Sequence, residues 1–230
     1  MIYVTGDTHG RFERIARFCR AYNPTINDIL IILGDAGINY FKDYRDERIK
    51  EVLSALPLTM FFIHGNHERR PASISSYVTK EWNGGTVYYE PAYPNLLFAK
   101  DGEVFDFEGT KTLVIGGAYS VDKYYRLSRG MHWFSDEQPS EEIKQYVMEQ
   151  IGKHNGCFDC ILSHTCPYKY IPTEAFLPGV DQSTVDNSTE LWLDEVREKT
   201  HYNKWYCGHY HINKKDRKLE FLFDTIKAFR

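Results

Sequence analysis

The sequence predicts an α/β protein, and three observations carry that prediction. Short apolar runs each end in a glycine-containing polar turn, helical periodicity fills the gaps between them, and β-rich pieces dominate from Thr86 onward.

Ile2 to Thr5, Ile29 to Leu33 and Leu58 to Ile63 are the apolar runs, and unbroken runs of this length suit strands buried on both faces. Between them, Phe12, Ile15, Ala16, Cys19 and Tyr22 recur at spacings of three and four, as do Ile49, Val52, Leu53 and Leu56, so each set lines one face of a helix. Strand, helix, strand, helix, strand is the order of an α/β sheet. Beyond Thr86, Glu103 to Phe107 and Thr112 to Ile115 flank Glu108-Gly109-Thr110 as a predicted hairpin, and a mixed or second sheet is expected. Glu141 to Ile151 and Leu191 to Lys199 read as helices. The second is entered through Asn187 as N-cap with Glu190 as its acidic partner, which is preferred to reading Asn187-Ser188-Thr189 as a glycosylation sequon. Further strands are predicted at Phe158 to Ser163, Lys204 to Cys207 and Leu219 to Phe223. Ser120 to Pro139 and Cys166 to Asp186 are too long for ordinary connections, which marks them as candidate functional loops.

With 230 residues, 42% of them hydrophobic, the chain can bury one sizeable core, and a single domain over residues 1–230 is expected. The 28 basic and 32 acidic residues nearly cancel, so no bulk positive field draws the chain onto nucleic acid. The 17 tyrosines and four tryptophans show no regular interleaving with Lys or Arg, and packing is their expected role. Nucleic acid is a possible partner that nothing indicates. The segment Met1 to Thr5 already reads as a strand, and no apolar run approaches the ~20 residues of a membrane helix, so a cytoplasmic protein without membrane contact is expected. Five scattered cysteines predict reduced thiols. Cys157-x-x-Cys160 lacks a second pair and reads as buried and inert.

The chemistry lies at the strand ends. Asp7-x-His9 follows the first strand and Gly34-Asp35 ends the second. Gly65-Asn66-His67-Glu68 ends the third, His164 closes Phe158 to Ser163, and Gly208-His209-x-His211 closes Lys204 to Cys207. Carboxyl ends of strands are where open α/β sheets meet ligands. Any one of these residues alone has an ordinary structural reading, whereas five strand ends delivering seven oxygen or nitrogen donors form a set.

This ordered series resembles the calcineurin-like metallophosphoesterase superfamily, with blocks Asp-x-His, Gly-Asp, Gly-Asn-His-(Asp/Glu), His and Gly-His-x-His spread from residue 7 to residue 211. The resemblance implies a four-layer α/β/β/α sandwich of two mixed sheets flanked by helices. It also implies two metal ions, with Asp7, His9 and His211 on one, Asn66, His164 and His209 on the other, and Asp35 bridging. His67 corresponds to the family's histidine that reaches the substrate, and the expected catalytic role is protonation of the leaving oxygen or stabilisation of the transition state. The expected reaction is hydrolysis of a phosphomonoester or phosphodiester, a small molecule or nucleotide, by a metal-bridging hydroxide. Two divalent ions would bring four positive charges, and Asp7, Asp35 and that hydroxide would remove three, leaving a site that attracts phosphate. Donors that are hard or borderline, with no thiolate, suit two divalent or mixed-valence ions of Mn, Fe, Zn or Ni.

Two departures separate the chain from the protein phosphatases of that superfamily. Gly34-Asp35-Ala36-Gly37-Ile38-Asn39 lacks the second aspartate and the arginine of the pattern Gly-Asp-x-x-Asp-Arg, and His164-Thr165-Cys166 replaces His-Gly-Gly. Arg11 and Arg69 are the candidate phosphate-binding arginines, while Arg70 is expected on a solvated helix face. Asp122, Tyr124, Tyr125 and Arg126 form a cluster that either shapes the substrate side of the site or packs on itself. His64, His132, His154 and His201 are expected to be structural or exposed. A nuclease, a protein phosphatase and a non-catalytic scaffold of the same fold are the alternative readings. The scaffold should have lost a ligand or His67, and none is missing.

Overall fold

The computed structural model describes residues 1–176 and 182–229. One sheet is built from β1 (Ile2–Thr5), β2 (Ile29–Ile32), β3 (Thr59–Phe62), β4 (Val78–Trp82), β5 (Gly85–Tyr89) and β6 (Leu96–Ala99). The second contains β7 (Val104–Phe107), β8 (Thr110–Ile115), β9 (Cys160–Ser163), β10 (Lys204–Cys207), β11 (Lys214–Asp216) and β12 (Leu219–Phe221), after which β13 (Lys227–Ala228) returns to the first. The strand orders are β13-β1-β2-β3-β6-β5-β4 and β11-β12-β10-β9-β8-β7. Parallel pairing runs through β1, β2, β3 and β6 in the first sheet and through β8, β9, β10 and β12 in the second, with antiparallel strands at the margins. Both sheets are therefore mixed.

Alternation along the strands explains the layers. Ile31, Leu33 and Phe61 face inward, where they pack with Phe105, Phe107, Val114, Leu162 and Tyr206 of the second sheet. Leu30, Ile32, Met60 and Phe62 face outward onto α1 (Glu13–Tyr22) and α2 (Tyr44–Ser54), meeting Ile15, Phe18 and Leu53. Of the second sheet, Leu113, Ile115, Ile161 and Trp205 pack on Val147 and Ile151 of α4 (Glu141–Lys153) and on Trp192, Leu193 and Val196 of α5 (Ser188–Glu198). A short helix, α3 (Lys123–Ser128), precedes α4. The outcome is the four-layer α/β/β/α sandwich, with every strand of the interior apolar on both faces because both faces are covered. No helix among the described residues is long and apolar enough to cross a membrane.

Several elements differ from expectation. The predicted hairpin forms as β7 and β8 around Glu108-Gly109, both at positive φ, as a two-residue turn between twisted strands requires. A second hairpin, β4 and β5, turns on Asn83-Gly84 in the same way and extends the first sheet before Thr86. Helix α2 starts before its apolar face does, because the Asp43 side chain accepts a hydrogen bond from Arg45 N at 2.9 Å and caps it. The capping expected of Asn187 is not observed. Asn187 makes no side-chain cap bond, Asp186 Oδ1 accepts from Ser188 N at 2.9 Å, and Glu190 turns inward to accept from Thr165 Oγ1 at 2.7 Å. All five cysteines are free thiols; Cys160 is buried as expected, but Cys157, also expected inside, lies before the apolar run and is exposed. Of the two long stretches, the first contains α3, and residues 177–181 of the second lie outside the described residues.

Candidate functional site

The carboxyl ends of β1, β2, β3, β9 and β10 come together where the two sheets meet, and all seven predicted ligands lie there. Asp7, Asp35, Asn66 and His164 are buried, His209 is half-buried, and His9 and His211 are exposed, so the site is closed at its floor and open at one side. Glycines allow the strand ends to converge. A Cβ on Gly65 would stand 2.1 Å from Asp35 N, and one on Gly208 would stand 2.2 Å from Asp7 Oδ1.

The donor atoms fall into two groups around the carboxylates. His9 Nε2 and His211 Nε2 face each other at 2.8 Å, and they lie 3.7 and 3.3 Å from Asp7 Oδ2. On the other side, Asn66 Oδ1 is 2.8 Å from His164 Nε2 and 3.1 Å from His209 Nδ1. Asp35 Oδ2 stands between the groups, 3.9 Å from His9 Nε2 and 3.7 Å from His164 Nε2. Asp7, Asp35 and His164 also group closely enough to share one cation, so both carboxylates reach the middle of the cluster.

Surrounding contacts aim these atoms. His164 Nδ1 faces Leu33 O at 2.7 Å, and donation there leaves the Nε2 lone pair pointing into the cluster. Asn66 Nδ2 donates to Ser120 Oγ at 2.9 Å, which turns Oδ1 toward the histidines. Asp7 Oδ1 accepts from His209 N at 3.0 Å, and Asp35 Oδ1 accepts from His67 N at 2.8 Å. Arg14 Nη2 donates to Gly6 O and Asp7 O, fastening α1 to the end of β1. His9, Asp35, His209 and His211 all have positive φ, between 46° and 66°. Non-glycine residues seldom adopt that conformation, and its concentration on four donors is typical of functional sites.

The electrostatics ask for a cation. Burial acts to raise the Asp35 carboxyl, but His164, His67 and His9 together with the His67 N–H outweigh it and hold the group below the usual carboxylate range. Asp7 is lowered as well, its burial being outweighed by the hydrogen bond from His211 and the charge of His164. Both acids are thus anionic, and Asp7 Oδ2 faces His211 Nε2 at 3.3 Å. Burial pushes His209 down to about 3, and it lowers His9 too, so both rings offer free lone pairs at neutral pH. Imidazole nitrogens, two carboxylates and an amide oxygen brought this close, with no thiolate among them, are a donor set that fits metal ions.

His67 sits at the half-buried edge of the cluster, its Nε2 3.9 Å from Asp35 Oδ2. Of the expected arginines, Arg11 is exposed after the first block, and Arg69 Nη2 donates to Ser73 O at 3.1 Å. Arg70 is not on a solvated helix. It precedes a single turn at Pro71–Ser73, pairs with Asp101 and donates from Nε to Asp136 O at 2.8 Å. Burial holds His64 well below its ordinary range, beside Arg70 in the same interior region. Ser120 lies in a stretch already marked as a candidate functional loop, whereas the role of Tyr40, whose hydroxyl contacts Arg126, has no signal in the sequence, since it depends on two loops meeting beside the site.

The structure is similar to the crystal structure of TT1561 of Thermus thermophilus, with a TM-score of 0.53, 13% identity, and coverage of 96% of this chain and 87% of that one. At that identity the likeness speaks for the fold alone. A protein of unknown function, AQ665 from Aquifex aeolicus, is similar over 72% of this chain and 80% of that one, with 15% identity and a TM-score of 0.35. No curated protein matches the sequence. The family model of the calcineurin-like phosphoesterases matches residues 1–213, a span that takes in all five donor-bearing strand ends, and the chain belongs to that family.

Proposed function

We propose that the chain hydrolyses phosphate esters with the help of two transition-metal ions, acting on a small phosphomonoester or phosphodiester, nucleotides included. The observation that carries this reading is the convergence of two donor groups, Asp7 with His9 and His211 and Asn66 with His164 and His209, on either side of Asp35. Asp7, His9 and His211 would hold one ion, Asn66, His164 and His209 the other, and Asp35 would touch both. When bound, such a pair supplies an activated water and neutralises charge on the phosphoryl oxygens.

The chain's own residues do the rest. Asn66 contributes a neutral oxygen, so the site keeps a positive charge that a third carboxylate would cancel. The exposed side at His9 and His211 admits the ester, while the buried floor at His164 excludes bulk water. His67 Nε2, beside but outside the donor groups, is placed to hold a proton for the leaving oxygen. Its main chain is anchored because its backbone N–H is committed to Asp35 Oδ1.

Metal analysis of the purified protein, followed by hydrolysis of an aryl phosphate and an aryl phosphodiester with several metals, tests the proposal. Two ions per chain with turnover on at least one ester is the expected result. A fully loaded protein inert on every phosphoester would overturn it.

A further inference from the structure

The geometry points to Arg126 as the side chain that grips the substrate's phosphoryl group, an assignment that rests on the phosphoesterase reading above. Arg126 lies on α3, and its guanidinium is mostly buried. Nε donates to Asp122 Oδ2 at 2.8 Å, and Nη1 reaches the Tyr40 hydroxyl at 3.2 Å and His132 O at 3.4 Å. Nη2 stands 3.4 Å from His67 Nε2.

Those contacts account for the Nε–H and both Nη1–H groups. A guanidinium has five N–H groups in a planar fork, so two remain on Nη2. At 3.4 Å the contact with His67 is long, and when His67 carries its proton on Nε2, as its role toward the leaving oxygen requires, both groups are donors and gain little from each other. An anionic oxygen placed between them would accept from both. Asp122 and Tyr40 fix the fork before substrate arrives, so little side-chain freedom is lost on binding.

Three other arginines near the site are committed elsewhere. Arg14 bonds the backbone of Gly6 and Asp7, Arg70 is paired with Asp101, and Arg69 donates to Ser73 O. Arg11 is exposed and unanchored among the described residues. Two loops cooperate to present Arg126. Tyr40 packs edge-on against His132 at 5.5 Å and against Phe134 at 6.1 Å, and Lys42 stands over Phe134 at 5.0 Å. The segments following β2 and β8 therefore form one wall beside His67.

The test is calorimetric binding of inorganic phosphate to metal-loaded wild type, Arg126→Met and Arg126→Lys, with metal content, melting temperature and aryl phosphate kinetics measured in parallel. Losing hydrogen bonds to a charged oxygen should weaken phosphate binding by about 10–100-fold in Arg126→Met, with metal content unchanged, and the lysine variant should fall between. A wild-type phosphate Kd in Arg126→Met, even with a lowered kcat, would overturn the assignment. If the methionine variant does not fold, Arg126→Lys decides: a Kd raised by roughly threefold or more supports the contact, and an unchanged Kd removes it. Arg126-dependent phosphate binding without hydrolysis of any ester would support this assignment while overturning the phosphoesterase reading. A wild type that hydrolyses esters but binds no phosphate would overturn this assignment alone, and one that does neither would overturn both.

Discussion

Replacing Gly65 with alanine asks whether the strand ends must approach as closely as they do. The added Cβ would fall 2.1 Å from both N and Oδ1 of Asp35 and 2.8 Å from its Cα. Non-bonded carbon contacts settle at ~3.5–4.0 Å, so the end of β2 would have to retreat by roughly 1–2 Å. Position 65 is not at positive φ, so the penalty is steric rather than conformational. Two of the three obstructing atoms, N and Cα of Asp35, are backbone and cannot swing aside as a long side chain would. Overpacking costs about 1–3 kcal/mol, and this case belongs at the upper end. Because Asp35 is the central carboxylate, a displacement of about 1 Å should also lower kcat by on the order of 10²-fold. Urea denaturation, metal content and aryl phosphate turnover read these effects. Gly152→Ala in α4 is the control: nothing lies within 4 Å of its Cβ, and a gain of about 0.5–1 kcal/mol is expected. Native stability and full activity in Gly65→Ala would refute the reasoning.

Two further outcomes follow from the same geometry. His67→Asn should keep both metals and lose about 10²–10⁴-fold in kcat, whereas Asp35→Asn should bind metal more weakly as well. Equal metal loss in the two variants would show that His67 is itself a ligand. Metal binding near neutral pH should release protons chiefly from His211. The Asp7 hydrogen bond raises that imidazole above its ordinary value, so it keeps its proton to higher pH and must give it up to a cation. Affinity should accordingly fall as pH drops through that raised value, while His209, pushed down to about 3 by burial, adds no such dependence above it. Calorimetry in buffers of different ionisation enthalpy measures the release. Buffer-independent heats in wild type, or unchanged release in His211→Asn, would contradict it.

What could be read from the sequence was whatever depends on local pattern. β1, β2 and β3 are legible because a strand covered on both faces must be apolar throughout, and the residues that leave their ends are fixed by the same turns. The β4–β5 hairpin carried a legible signal in Asn83-Gly84, but its exposed, polar first strand Val78–Trp82 has no apolar face to mark it. Helix α3 is six residues long with none buried, so it leaves no periodicity. The Asn187 cap does not form: Asp186 Oδ1 takes the Ser188 N–H at the helix start, and Glu190, the expected partner, bonds Thr165 in the interior. Arg126 lies 59 residues from His67 in sequence, and only the fold of two loops brings the pair together.

Anomalous diffraction from crystals of the metal-loaded protein examines the centre most directly. Two peaks should appear, one among Asp7, His9 and His211 and the other among Asn66, His164 and His209, with an Asp35 oxygen on both. A single peak, or metal bound away from these side chains, would contradict the two-ion site.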